Sequence, residues 1–210
     1  ADVYIHVLEA AGIIPDIKKR KAVLKKAIEV CAKEHGARIL EDDELVNLVT
    51  NLVEFPFPVL GTFDDEFLEV PDEVLITAMR EHQKYFALVD KNNKLKPLFI
   101  AVNNTNPKGM QLVARGHEKV LRARLSDAKF FYEVDCKSSL DEFTDKLKNV
   151  TFQEKLGSVY DKTIRTKEFV EYLAKKSSYD KKEILTQDVA RAAQICKADL
   201  VSQVVIEFTK

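Results

Sequence analysis

The sequence predicts an α+β fold, with helix and strand mixed in the first part and helix throughout the rest. Apolar residues fill 46% of 210 positions, ample for a buried core. Short apolar runs bounded by turn residues occur only before residue 106, and from about Lys108 helical apolar spacing takes over. No internal repeat, low-complexity tract or coiled coil interrupts this order.

In chain order, Leu24, Ala27, Ile28 and Cys31 recur at helical spacing between Asp16 and Glu34, with Gly36 as a C-cap. The lysines of this segment, Lys18 to Lys26, read as a solvated face or as an RNA-facing one. Asp42 or Asp43 caps a second helix through Leu45, Leu48, Val49, Leu52 and Val53, ended by Pro56 and Pro58. Val59 to Phe63 predicts a strand, Asp64 to Glu66 a turn, and Pro71 the start of a helix through Val74, Leu75, Ala78 and Met79. Tyr85 to Val89 and Leu95 to Val102 flank Asp90-Lys91-Asn92-Asn93 as a hairpin, in which Pro97 marks an edge strand or a bulge. After Asn103-Asn104-Thr105-Asn106-Pro107 comes a long helix, then helical segments Phe152 to Lys175 and Thr186 to Phe208 joined through Ser177-Ser178-Tyr179-Asp180. The change of pattern near Cys136-Lys137-Ser138-Ser139 predicts domains at 1–137 and 138–210.

Charged residues make up 32% yet sum to −1, so attraction to a polyanion must come from local patches. Cys31, Cys136 and Cys196 are widely spaced and read as reduced core thiols, without a disulfide framework or zinc knuckle. No apolar run approaches the ~20 residues of a membrane span and no secretory signal is visible, so a cytoplasmic protein is expected. Both ends run through apolar segments, which suggests a piece of something longer.

One patch stands out. On the helix around Arg115 to Glu133, Arg115, Lys119, Arg122 and Lys129 share a narrow sector, opposite Val113, Val120, Leu121, Leu125, Ala128 and Phe131. His117 and Arg124 fall in the apolar sector. A guanidinium there needs a partner, so Arg124 is expected to tether the helix to Asp127 or to a distant carboxylate. Interspersed Glu118, Asp127 and Glu133 weaken the field, leaving phosphate contact and a structural role both open, with Tyr85 and Tyr132 as candidate stacking groups.

Chemistry-bearing motifs are few. Six glycines are scattered without a phosphate-binding loop, and the four histidines show no metal-ligand spacing, so neither a catalytic nor a metal-binding residue is assigned. Glu81-His82-Gln83-Lys84-Tyr85 groups acid, imidazole, amide and amine at a helix-to-strand corner, but no nucleophile completes a relay. Lys84, Lys162 and Arg165 are further candidates for RNA contact, against a reading as ordinary surface charge. Gly157 is expected to permit close backbone approach.

Four ordered pieces resemble the beta subunit of bacterial-type tetrameric glycyl-tRNA synthetase. They are Phe67-Leu68-Glu69-Val70-Pro71 running into Met79 to Phe86, the basic helix, Phe152 to Lys162, and Cys196-Lys197-Ala198-Asp199-Leu200. The resemblance implies an internal fragment: a mixed domain similar to the B3/B4 editing-type domain of phenylalanyl-tRNA synthetase, then the start of a helical HD-like domain. It further implies an alpha2beta2 assembly in which the alpha subunit uses ATP and Mg to charge tRNA-Gly, this piece helps position that tRNA, and no cofactor binds here. Editing is less needed because glycine, the smallest amino acid, is selected by size. No histidine follows His117, so the helical part departs from a working His/Asp metal site unless ligands lie beyond Lys210. A structural or protein-interaction module and a metal-dependent phosphohydrolase are the alternatives.

Overall fold

The computed structural model describes residues 2–106, 108–176 and 183–208. Packing divides the chain into two compact units, one through Lys129 and one from Phe130. The expected connection at Ser177-Ser178-Tyr179-Asp180 lies outside the described residues.

The first unit is α+β. Helix α1 (Asp2–Ala10) precedes α2 (Ile17–Glu34), whose N-cap Asp16 accepts from Lys19 N at 2.8 Å. Gly36, at φ +61°, makes the left-handed turn that ends α2 and feeds β1 (Arg38–Ile39). Asp42 caps α3 (Asp43–Leu52) through Leu45 N. Strand β2 (Phe57–Thr62) begins two residues before the expected Val59, and a 3₁₀ turn (Asp65–Glu69) leads to α4 (Asp72–Thr77). Helix α4 widens into a π-helical segment, Ala78–Gln83, which ends at left-handed Lys84. Strands β3 (Phe86–Val89) and β4 (Leu95–Asn103) form the expected hairpin, because Asp90 Oδ1 accepts from Asn92 N and Lys94 N while Asn93 takes φ +63°.

The four strands are antiparallel in the order β1-β3-β4-β2. Pro97 therefore sits in an interior strand, at the irregularity where pairing shifts from Ala87–Phe99 to Val89–Leu95, so its missing N–H falls where the ladder is already broken. Pro58 lies on β2, an edge strand that pairs only with β4. Leu24, Ile28, Leu45 and Val49 pack on Phe86, Leu88 and Ile100 to form the core between α2, α3 and one face of the sheet. On the other face the Phe99 ring covers Gly61, where any Cβ would collide with it. From α5 (Met110–Asp135), Leu121, Leu125 and Ala128 are fully buried, whereas Val120, expected on the apolar side, is exposed.

The second unit holds the end of α5, then α6 (Leu140–Lys146), whose start is fixed by a Ser139/Glu142 capping box. The helix expected from Phe152 is overturned at its start: β5 (Thr151–Gln153) and β6 (Gly157–Ser158) form a small hairpin, and α7 (Val159–Lys176) begins after it. The expected helix from Thr186 to Phe208 is likewise broken. It becomes α8 (Glu183–Ile195), a 3₁₀ turn (Ala198–Val201) and α9 (Gln203–Glu207), restarted by the Ser202 N-cap. Asp135 accepts from Gln203 N and Val204 N, both at 2.9 Å, and so holds the start of α9. The cysteines are not core thiols as a group. Cys31 is half-buried, and Cys136 and Cys196 are exposed.

Candidate nucleic-acid surface

Helix α5 has three different longitudinal strips. Its inner strip carries Leu121, Leu125 and Ala128 into the core. Beside it, His117 links two elements of the first unit: the Tyr85 hydroxyl lies 2.8 Å from Nδ1, and Nε2 lies 3.0 Å from Asn103 Oδ1. A neutral ring protonated on Nε2 satisfies both bonds, accepting from Tyr85 and donating to Asn103. Burial pushes the His117 pKa down, which favours that neutral ring, and raises the Tyr85 hydroxyl to about 12. Tyr85 is 6% exposed and stacks on Phe99 at 4.8 Å, so it offers no free ring to a base, contrary to the expected stacking role. Asn103 Nδ2 is buried without a partner.

The second strip is bolted to the segment that follows β2. Glu118 accepts from Thr62 N at 2.9 Å and from its hydroxyl at 3.0 Å; Arg122 forks onto Asp64 at 2.5 and 3.0 Å; Lys129 reaches Glu66 at 3.2 Å and Glu69 at 3.5 Å. Its hydrogen bond to Glu66 raises the Lys129 pKa. Two of the four cations of the basic stripe are thus already matched by carboxylates of their own unit.

The third strip, Arg115 and Lys119, faces solvent, while Arg124 lies on the opposite flank of the buried strip. Arg115, Lys119 and Arg124 are exposed and make no ion pair among the described residues. Arg124 is accordingly corrected: it is exposed and tethers no carboxylate among the described residues, because its position lies on the rim of the buried strip, where solvation costs less than burial.

Away from α5, Lys84 Nζ donates to the Glu81 carbonyl at 2.8 Å and lies 3.6 Å from the Glu81 carboxylate. Lys162 sits 4.3 Å from the centroid of the Phe152 ring, and Arg165 is exposed. Gly157 takes φ +82°, and a Cβ there would meet the Asp161 carboxylate, which bonds Ser158 N and its hydroxyl at 2.8 Å. Sequence reasoning missed Arg80. It pairs with Asp42 at 2.6 Å, Glu44 at 2.8 Å and Glu81, and these carboxylates raise its pKa, with Asp42 the main cause. Asp42 and Glu44 lie more than thirty positions from Arg80 in sequence, so no local pattern announces them. Among the described residues no group of three His, Cys, Asp or Glu side chains is placed to hold a metal, and no helix is long and apolar enough to cross a membrane.

The family model described as glycyl-tRNA synthetase beta subunit matches residues 1–210. The chain belongs to that family. Within it, the chain is 58% identical over its whole length to the glycine-tRNA ligase beta subunit of Desulforapulum autotrophicum, and 55% identical over 99% of its length to that of Desulfatibacillum aliphaticivorans. The Bacillus subtilis beta subunit is 44% identical over 98% of the chain. The chain spans about 30% of the length of these beta subunits. Across this beta-subunit segment, the cations left without an ion pair mark its candidate surface for an anionic partner.

Proposed function

We propose that this chain is an internal part of a glycine-tRNA ligase beta subunit and helps to hold tRNA-Gly while the alpha subunit, using ATP and Mg, attaches glycine. The family match across all 210 positions carries this reading. The exposed Arg115 and Lys119 of α5 give it a place, since two adjacent cations without carboxylate partners suit a phosphate backbone. Arg124, exposed on the opposite side of α5, is not part of that patch, while Arg122 and Lys129 serve the fold. Lys84, Lys162 and Arg165 complete the proposed contacts. In this reading the first unit is an editing-type B3/B4-like domain used without editing, the second opens an HD-like domain, and the assembly is a cytoplasmic alpha2beta2 tetramer. In this reading ATP and Mg act through the alpha subunit, and no cofactor is assigned to this chain.

The test is binding of a tRNA-Gly transcript across a salt series. Arg115→Gln/Lys119→Gln is expected to weaken binding and make the slope of log affinity against log salt shallower by about 2. An unchanged slope would remove α5 from the RNA surface. A protein-interaction module is the second reading, favoured by α1, where Val3, Tyr4 and Val7 are each at least 60% exposed.

A further inference from the structure

Helix α7 carries a face of which the tRNA reading uses only Lys162 and Arg165. At about 100° per residue, Lys162, Arg165, Phe169, Tyr172, Leu173 and Lys176 fall within a sector of about 120°. Every one of them is exposed, with Phe169 at 61% and Tyr172 at 57%. No carboxylate shares the sector. Asp161, which caps Ser158 and feels the charge of Arg165, and Glu168 border the sector beside Tyr172, and only Glu171 lies on the far side of the helix. Cations also sit beside ring faces: Lys162 lies 4.3 Å from the Phe152 centroid and Lys176 5.8 Å from that of Tyr172.

We infer that this face of α7 binds an unpaired stretch of RNA, with successive bases stacking on Phe169 and Tyr172 and the intervening phosphates meeting Arg165, Lys162 and Lys176. Three observations favour RNA over a protein partner. The charged residues inside the sector are all cations, none in an ion pair among the described residues, which suits a polyanion, whereas an ordinary apolar helix partner would leave three cations facing its packing surface. Its two largest side chains are flat rings held clear of the surface, the form that stacks on bases irrespective of sequence. Phe169 and Tyr172 are separated by about 4.5 Å along the helix axis, close to the ~3.4 Å between stacked nucleotides. Leu173 then packs against the edge of a base or a sugar. The inference rests on the tRNA reading above, because it names a second contact, one for unpaired nucleotides, on the same RNA partner.

The experiment compares three fluorescent RNAs: an unstructured 12-nucleotide strand, a fully paired hairpin of similar length, and a tRNA-Gly transcript. Each is titrated with the 210-residue chain and with two variants, Phe169→Leu/Tyr172→Leu and Arg115→Gln/Lys119→Gln, with circular dichroism confirming that each variant is folded. Leucine preserves apolar area and removes only the ring plane. Wild type is expected to prefer the unstructured strand to the hairpin, and the leucine variant to lose at least about tenfold on that strand with little change on the hairpin. Equal binding of the unstructured strand by the leucine variant overturns the inference and assigns the face to packing against protein. If tRNA-Gly binds and is weakened only by the α5 variant, while the unstructured strand does not bind, the α7 inference falls and the tRNA reading stands. If none of the three RNAs binds, both fall.

Discussion

Helices α5 and α7 look alike as strings of letters, each amphipathic and each studded with Lys and Arg, yet their cations meet opposite circumstances. On α5, Arg122 and Lys129 point at Asp64, Glu66 and Glu69, so their charge is spent inside the first unit. On α7, Lys162, Arg165 and Lys176 stand among exposed rings and make no ion pair among the described residues. The difference lies in what the tertiary fold sets opposite each residue: a short acidic turn happens to run alongside one helix and not the other. A helical cation therefore says little about nucleic acid until its neighbours across the fold are known.

The sharpest way to break this contrast is to truncate a leucine from each helix. Leu121→Ala on the fully buried strip of α5 is expected to cost about 2 to 5 kcal/mol in a denaturant melt, whereas Leu173→Ala on the open face of α7 should stay within about 0.5 kcal/mol. Similar costs for both would mean that the α7 face is not open in solution. Next in size, Gly157→Ala is expected to lose about 1 to 3 kcal/mol and to loosen the start of α7, since alanine must adopt φ +82° against the Asp161 carboxylate. A melt indistinguishable from wild type would show that the β5–β6 turn relaxes freely.

Smaller again is Tyr85→Phe, which keeps the stack on Phe99 and removes the hydrogen bond to His117 at a cost of about 1 kcal/mol. The pH profile gives this a sign. His117 has a native pKa below its ordinary 6.5, so the unfolded chain takes up that proton first. Its contribution is fully present above pH 6.5 and is lost as pH falls through the native pKa; for Tyr85 the corresponding loss runs upward from pH 10 to about 12. His117→Asn should flatten the acid limb of the stability curve. The smallest effect belongs to Lys129→Gln: a slight, salt-sensitive loss of stability and no change in RNA affinity, measured by melts at low and high salt beside the tRNA titration. A fall in RNA affinity would return Lys129 to the binding surface.

Local signals carried well from sequence to fold. Asp16 before Ile17, left-handed Gly36, and the Asp90 side chain closing its own turn each act within four residues of themselves, so the letters suffice. The β5–β6 hairpin was hidden because two strands of two or three residues leave almost no alternation, and Phe152 and Leu156 mimic one turn of helix. Pro97 was ambiguous until the sheet order placed it in an interior strand at a break in pairing. The candidate surface was legible as a set of cations but not in its division into free and paired members. Arg122 meets a carboxylate 58 positions away and Arg80 one 38 positions away, distances over which helical periodicity carries no information. Arg124 shows the limit of a helical wheel, which gives the angle of a residue but not the width of the buried strip beneath it.

The strand order also bears on how the protein behaves in concentrated solution. A sheet grows into a fibre by recruiting strands at its edges, and this one presents little to recruit with. On one side the border is β1, two residues long; on the other it is β2, where Pro58 withholds an N–H and Pro56 stands just before the strand. Replacing Pro58 by valine would restore the missing donor, leave the edge longer and flatter, and turn a border that discourages self-assembly into one that invites it.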